Sequence, residues 1–214
     1  HIADDQTMLH AFANGEDIHT ITAARVFDIP PETVTAKQRT RAKAVNFGIV
    51  YGISDFALAE DIGTTRSEAH ELIEKYLTEY AGIRQYMERV VQTARETGYV
   101  ETLDHRRRYL PDLRASKFNT RAAAERIALN TPIQGTAADI IKRAMVLVFR
   151  RLRREQMAAR LILQVHDELI VEAPAEEAER AAQLLSEEME HAAQLHVRLA
   201  ADSAVGFSWA DTKQ

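Results

Sequence analysis

The sequence predicts an α+β fold, helical through its first half and ending on a small antiparallel sheet. Three observations carry that reading. Thr35 to Gln38 and Thr65 to Glu68 have the spacing of helix capping boxes. Asn14-Gly15, Pro30-Pro31, Gly52 and Gly98 punctuate the stretches around them. Residues 160–165 and 168–173 alternate with the strand period about a tight His166-Asp167 turn.

Taken in order, a short amphipathic helix ends at Asn14-Gly15 and a second opens at Asp17, until Pro30-Pro31 forces a break. The Thr35 box starts a helix running to about Tyr51, where Gly52 can end it, and a shorter helix follows Ser54. The Thr65 box opens a pair of helices that turn near Ala81-Gly82 and finish at Gly98. Residues 99–103 and 107–110 read as a short hairpin closed by Pro111. Two helices follow, about 120–130 and 136–156, separated because the residue before Pro132 is pushed out of helical geometry. After the second hairpin come a helix over about 175–194 and a strand near 197–202.

At 214 residues, 46% of them apolar, the chain can bury a real core, which excludes a disordered segment. It has no cysteine, so neither disulfides nor thiolate metal sites hold it together. Apolar runs such as Leu161-Ile162-Leu163 fall far short of the roughly 20 residues a membrane helix needs. The N-terminus lacks the basic flank and apolar stretch of a signal peptide, and the expectation is a cytoplasmic protein without a membrane partner.

A net charge of −5 argues against a polyanionic partner, but the charge is segregated. Arg106, Arg107, Arg108, Arg114, Lys117, Arg121 and Arg126 face only Asp112 and Glu125, whereas residues 167–190 carry Arg180 as their one cation. Such a distribution gives either a basic face that attracts a polyanion or ordinary solvated helix surfaces.

Three clusters could carry chemistry. Gln164-Val165-His166-Asp167-Glu168-Leu169 puts two carboxylates at the bend of an apolar hairpin. Adjacent negative charges there suit a hard cation such as Mg²⁺, and equally a solvated turn. Arg39, Lys43 and Phe47 recur every four residues and so share a helix face, with Tyr51 one step further and Arg41 off the stripe. Two cations and an aromatic suit a nucleoside triphosphate, the phosphates meeting the cations and Tyr51 stacking on a base. The same spacing also fits a solvated cationic face with Phe47 in a core. Arg126, Asn130 and Gln134 repeat at the same interval, although Pro132 argues against one regular helix carrying all three. They are either donors to minor-groove acceptors or helix-surface residues.

Arg39-Thr40-Arg41-Ala42-Lys43-Ala44-Val45-Asn46-Phe47-Gly48-Ile49-Val50-Tyr51-Gly52 resembles the fingers-helix motif of family A DNA polymerases, Arg-x3-Lys-x3-Phe-Gly-x2-Tyr-Gly. Val165-His166-Asp167-Glu168 is similar to that family's palm motif, and the stretch from Asn130 through Gln134-Gly135 to Asp139 to the segment between them. The resemblance extends over essentially the whole chain. It implies a mostly helical fingers region, residues 15–128, beside two pieces of palm, 1–14 and 129–214.

The resemblance further implies that His19, Arg39 and Lys43 hold the phosphates of the incoming nucleotide, with Lys43 the candidate general acid for the leaving pyrophosphate. Phe47 would sit beside sugar and base, and its being Phe rather than Tyr implies discrimination against dideoxynucleotides. Tyr51 would lie at the template-base position. Arg126, Asn130, Gln134 and His166 would touch the primer–template. Asp167 would be one of two metal-ligating aspartates, with Glu168 an adjacent carboxylate of lesser role. The implied reaction is attack of a primer 3′ hydroxyl on the α-phosphate of a deoxynucleoside triphosphate, assisted by two Mg²⁺ ions about 3.5–4 Å apart, in DNA replication or repair.

The family's first metal aspartate belongs to an Asp-Tyr-Ser-Gln-Ile-Glu segment, which these 214 residues do not contain. The expected partners are therefore primer–template DNA, deoxynucleoside triphosphates and an upstream portion of the same polymerase supplying that segment and the thumb. The expectation for the chain alone is inactivity. The alternative is a non-catalytic fragment that binds nucleotide or DNA.

Overall fold

The computed structural model describes residues 1–212 and divides into two compact units, residues 1–135 and 136–214. Its fold class is α+β, as the sequence predicts, with helices and two separate two-stranded antiparallel sheets.

The helix starts in the first unit follow their caps. α1 (Gln6–Ala13) begins after Asp5, whose carboxylate accepts from the Met8 amide. α2 (Ile18–Phe27) begins after Asp17, whose carboxylate accepts from the amides of His19 and Thr20. α3 (Ala36–Val50) and α5 (Arg66–Glu79) each open with a complete capping box, at Thr35 with Gln38 and Thr65 with Glu68. Each box satisfies two of the amide groups that a helix N-terminus leaves without partners. α4 (Asp55–Ile62) is capped by Ser54. α6 (Ala81–Thr97) ends at Gly98, whose φ of 84° lies in the left-handed region open to glycine.

Leu58, Val45, Tyr76 and Tyr80 form the centre of the first core, drawn from α3, α4, α5 and the α5–α6 junction. Leu58 is wholly buried. Replacing it with alanine should cost about 3 kcal/mol, because the packed helices around it cannot collapse fully onto the void. The test is the midpoint of urea unfolding; a change below about 1 kcal/mol would mean that the site relaxes where this packing says it cannot.

The first hairpin pairs β1 (Tyr99–Glu101) with β2 (Arg107–Tyr109), with Tyr99 opposite Tyr109. After it, α7 runs unbroken from Phe118 to Arg154, 37 residues with Pro132 inside. The two helices expected on either side of Pro132 are thus one. Pro132 has no N–H for the Ala128 carbonyl, but this turn is held from outside. The Tyr86 hydroxyl donates to the Leu129 carbonyl at 2.8 Å, and the Arg106 guanidinium donates to the Gly135 carbonyl at 3.0 Å. A Cβ on Gly135 would lie 2.6 Å from the Thr102 methyl, so the hairpin's approach to the helix requires glycine there.

In the second unit, β3 (Arg160–Val165) pairs with β4 (Glu168–Glu172), Val165 opposite Glu168. His166 and Asp167 form the tight turn, as expected, with His166 at φ 52°. The register shifts between Leu161 and Leu163. Beneath the hairpin, Ala144, Val148 and Leu152 of α7 pack with Leu169 and with Ala181 and Leu184 of α8 (Ala178–Glu190). The helix expected over 175–194 is shorter, since residues 175–177 form a 3-10 turn. The strand expected near 197–202 does not form. Its Ala201 amide is directed at the Glu190 carboxylate, which also accepts from Arg198, so this segment is tied to a helix end.

Candidate functional site

Two adjacent helix segments of the first unit build a compact cationic site. Because α2 starts at Ile18 and α3 presents every fourth residue on one face, Asp17, His19, Arg39, Lys43 and Phe47 come together. Arg39 donates from Nε to the Asp17 carboxylate at 2.6 Å. Its two terminal Nη groups make no hydrogen bond to the described residues and remain available to an anion. The Arg39 guanidinium, together with the Thr20 hydroxyl and the two backbone amides, pulls the Asp17 carboxyl down to about 2. Asp17 therefore stays ionised and fixes the inner edge of Arg39 at every physiological pH.

His19 lies between these charges and the core. Burial disfavours its cation and lowers its pKa, with Arg39 and Lys43 adding to that and Asp17 opposing it. Its ring centre is 5.8 Å from that of Phe47, and Lys43 Nζ lies 5.9 Å from the same ring. Phe47 is 52% and Tyr51 49% exposed, so neither is a core residue. The core-packing reading of Phe47 is therefore wrong. The backbone on the opposite side of α3 packs inward instead, through Ala42, Val45 and Ile49.

A cleft of about 970 Å³ opens along α3 and α4, lined among others by Lys43, Phe47, Tyr51, Ser54 and Arg126. Arg41, off the cationic stripe, also lines it, and its buried Nε has no hydrogen-bond partner. At one end Gln134 donates to the Tyr51 hydroxyl at 3.2 Å. A Cβ on Gly52 would meet Arg126 Cγ at 3.0 Å, so Gly52, at φ 67°, lets the α3 terminus approach the Arg126 stem. Arg126, Asn130 and Gln134 belong to one helix, contrary to the interruption expected at Pro132. Asn130 is half-buried, and its buried Oδ1 has no partner.

His166 and Asp167 form the β3–β4 turn of the second unit and Glu168 opens β4, all three exposed. The Gln164 amide donates to the His166 carbonyl at 2.6 Å, bracing the turn, and Trp209 donates to the Glu168 carboxylate at 3.3 Å. Carboxylate oxygens here suit a hard divalent cation. Among the described residues no three His, Cys, Asp or Glu side chains cluster as a metal site.

Spacing did not single out Asp17, which accepts from Arg39, or Thr22 and Asn46, where the Thr22 hydroxyl donates to Asn46 Oδ1 and Asn46 Nδ2 lies 2.9 Å from His19 Nδ1. Asp17 was legible as a helix cap. Asn46, half-buried on α3, gave no such signal, because both faces of that helix carry apolar residues. No helix among the described residues is long and apolar enough to cross a membrane.

Comparison with known proteins agrees with this architecture. The profile of DNA polymerase family A matches residues 1–211. DNA polymerase I of Geobacillus stearothermophilus is 56% identical over 213 residues, covering all of this chain and 24% of that protein. DNA polymerase I of Bacillus subtilis is 54% identical over the same length. The chain thus spans about a quarter of the length of the curated relatives it matches. A solved POL domain of Pol1 from M. smegmatis, in complex with DNA primer-template and dNTP, superposes with a TM-score of 0.88 at 43% identity, covering 93% of this chain and 35% of that one. Matched along nearly its whole length by the family profile and by a solved polymerase fold, the chain belongs to DNA polymerase family A.

Proposed function

We propose that this chain is the nucleotide-binding part, and one carboxylate of the metal site, of a DNA-directed DNA polymerase acting in replication or repair. The observation that carries the reading is the site on α2 and α3. Arg39 is held by Asp17 with its outer donors unengaged, Lys43 follows one turn later, and Phe47 is exposed beside both. That arrangement meets a triphosphate with cations and a sugar or base with an aromatic face. The polymerase of known structure bound to primer-template and dNTP supports the same ligands here.

In this reading residues 15–128 form the fingers, and residues 1–14 and 129–214 are parts of the palm. Arg39, Lys43 and His19 bind the phosphates, and Tyr51 stands at the template base. Phe47, lacking a hydroxyl, makes the enzyme discriminate against dideoxynucleotides. Arg126, Asn130, Gln134 and His166 contact the primer–template, with minor-groove acceptors that vary little with sequence the natural target of such donors. Asp167 holds Mg²⁺ together with an aspartate from another part of the polymerase, and Glu168 adds negative potential beside it. Bound Mg²⁺ neutralises charge that develops on the reacting phosphate oxygens. The chain's own residues position the triphosphate, and Lys43 supplies a proton to the departing pyrophosphate. The enzyme works in the cytoplasm.

Template-directed primer extension with Mg²⁺ tests the reading, comparing the full-length polymerase that contains this chain with the 214-residue chain alone. Extension by the full-length protein and none by the chain is expected. Failure of the full-length protein would remove the catalytic reading in favour of a binding fragment. Extension by the chain alone would show that its own residues complete the metal site.

A further inference from the structure

Behind His19 a line of polar groups crosses the otherwise apolar interface of α2, α3 and the α5–α6 junction. The Tyr80 and Thr22 hydroxyls are 2.9 Å apart, and both residues are wholly buried. The Thr22 hydroxyl donates to Asn46 Oδ1 at 3.1 Å, and Asn46 Nδ2 lies 2.9 Å from His19 Nδ1. Burial raises the pKa of Tyr80, which keeps its proton and can donate it to Thr22. With every donor matched to an acceptor, the line has one polarity from Tyr80 to Asn46, and its last hydrogen bond is given by the Asn46 amide to His19 Nδ1. The imidazole then carries its proton on Nε2, which has no partner among the described residues.

We propose that Asn46 is a positioning residue for nucleotide binding, holding His19 in the Nε2–H tautomer so that this nitrogen donates to a phosphate oxygen of the incoming nucleoside triphosphate. The proposal rests on the reading of His19 as a phosphate contact. The opposite polarity would leave an Nε2 lone pair facing an anion, so bound triphosphate selects the polarity described. A neutral donor suits this place. The charged groups facing His19 are Asp17 from its own helix start and Arg39 and Lys43 from α3, so the phosphates already meet two cations and a third would have to be kept desolvated. The buried Thr22 and Tyr80 add no charge to the ring and fix only its orientation and tautomer.

The test uses the full-length polymerase, measuring kcat and KM for dATP opposite a template thymine. His19→Ala should raise KM about tenfold, the loss of one hydrogen bond to a charged group, with a smaller effect on kcat. Asn46→Ala should raise KM several-fold by itself and not at all in the His19→Ala background. Asn46→Asp, of the same shape, accepts a hydrogen from Nδ1 and stabilises the imidazolium. Its KM, taken relative to wild type, should rise with pH between about 6 and 8 as the ring loses the Nε2 proton. Should Asn46→Ala fail to fold, the Asn46→Asp profile decides the matter alone. If His19→Ala raises KM and Asn46→Ala adds the same factor with or without His19, Asn46 acts structurally and the proposal is overturned while the nucleotide site stands. An Asn46→Asp profile parallel to wild type overturns it likewise. An unchanged KM in His19→Ala removes the phosphate contact itself, and the positioning role with it.

Discussion

Asp167→Asn in the full-length polymerase should lower template-directed nucleotide incorporation by about 10³-fold or more, corresponding to about 4 kcal/mol of transition-state stabilisation lost with an anionic metal ligand. The substitution keeps the shape of the side chain and removes its charge. Because Asp167 is exposed at a two-residue turn, the fold should be indifferent to it: the β3–β4 register and the core beneath rest on Leu169, Val148 and Leu184. Melting temperature and primer–template affinity should therefore match wild type, and the loss should lie in kcat. A variant within about tenfold of wild-type turnover would show that Asp167 is a solvated turn residue, the other reading its sequence context allows.

Lys43→Ala should lower kcat by about 10²- to 10⁴-fold, the range for removing a positioned proton donor, and raise KM for the nucleotide as well. Lys43→Arg separates the two effects. A guanidinium restores the positive charge beside Arg39 and recovers KM, but it holds its proton too tightly to release it at neutral pH, so kcat should stay low. Steady-state kinetics on the two variants read this directly. Recovery of kcat by arginine would mean that Lys43 contributes charge alone and that the proton comes from elsewhere. Lys43 is exposed, so neither substitution should alter stability by more than about 0.5 kcal/mol.

Both predictions concern residues that were conspicuous in the sequence, for a physical reason. Spacing of four on a helix translates directly into a shared face, so Arg39, Lys43 and Phe47 could be placed together before any tertiary contact was known. Caps are equally local. Thr35, Thr65, Ser54 and Asp17 satisfy amides two or three residues away, and each helix begins where its cap predicted. The β3–β4 hairpin needed only alternation and a two-residue turn.

Errors arose where a distant group settled a local conflict. Pro132 is a helix breaker in isolation, yet the helix passes through it, with the neighbouring Leu129 carbonyl taken by the Tyr86 hydroxyl, 43 residues away in the chain. Residues 197–202 have strand-like character, but a strand is made by its partner, and here Glu190 takes the Ala201 amide. Likewise, spacing could not tell an exposed Phe47 from a packed one, since both faces of α3 carry apolar residues and only the fold decides which faces inward.

The sequence by itself thus determined the side-chain-capped helix starts of the first unit, the two hairpins, the cationic stripe and the family to which the chain belongs, because each depends on residues close together in the chain or on an ordered set of motifs. Only the tertiary structure decided that Asp17 grips Arg39, that α7 is continuous, and that Tyr80, Thr22 and Asn46 line up behind His19. Those arrangements join residues 22 to 58 positions apart, and hydrogen-bond partners at such separations are chosen by how the helices pack rather than by any local pattern.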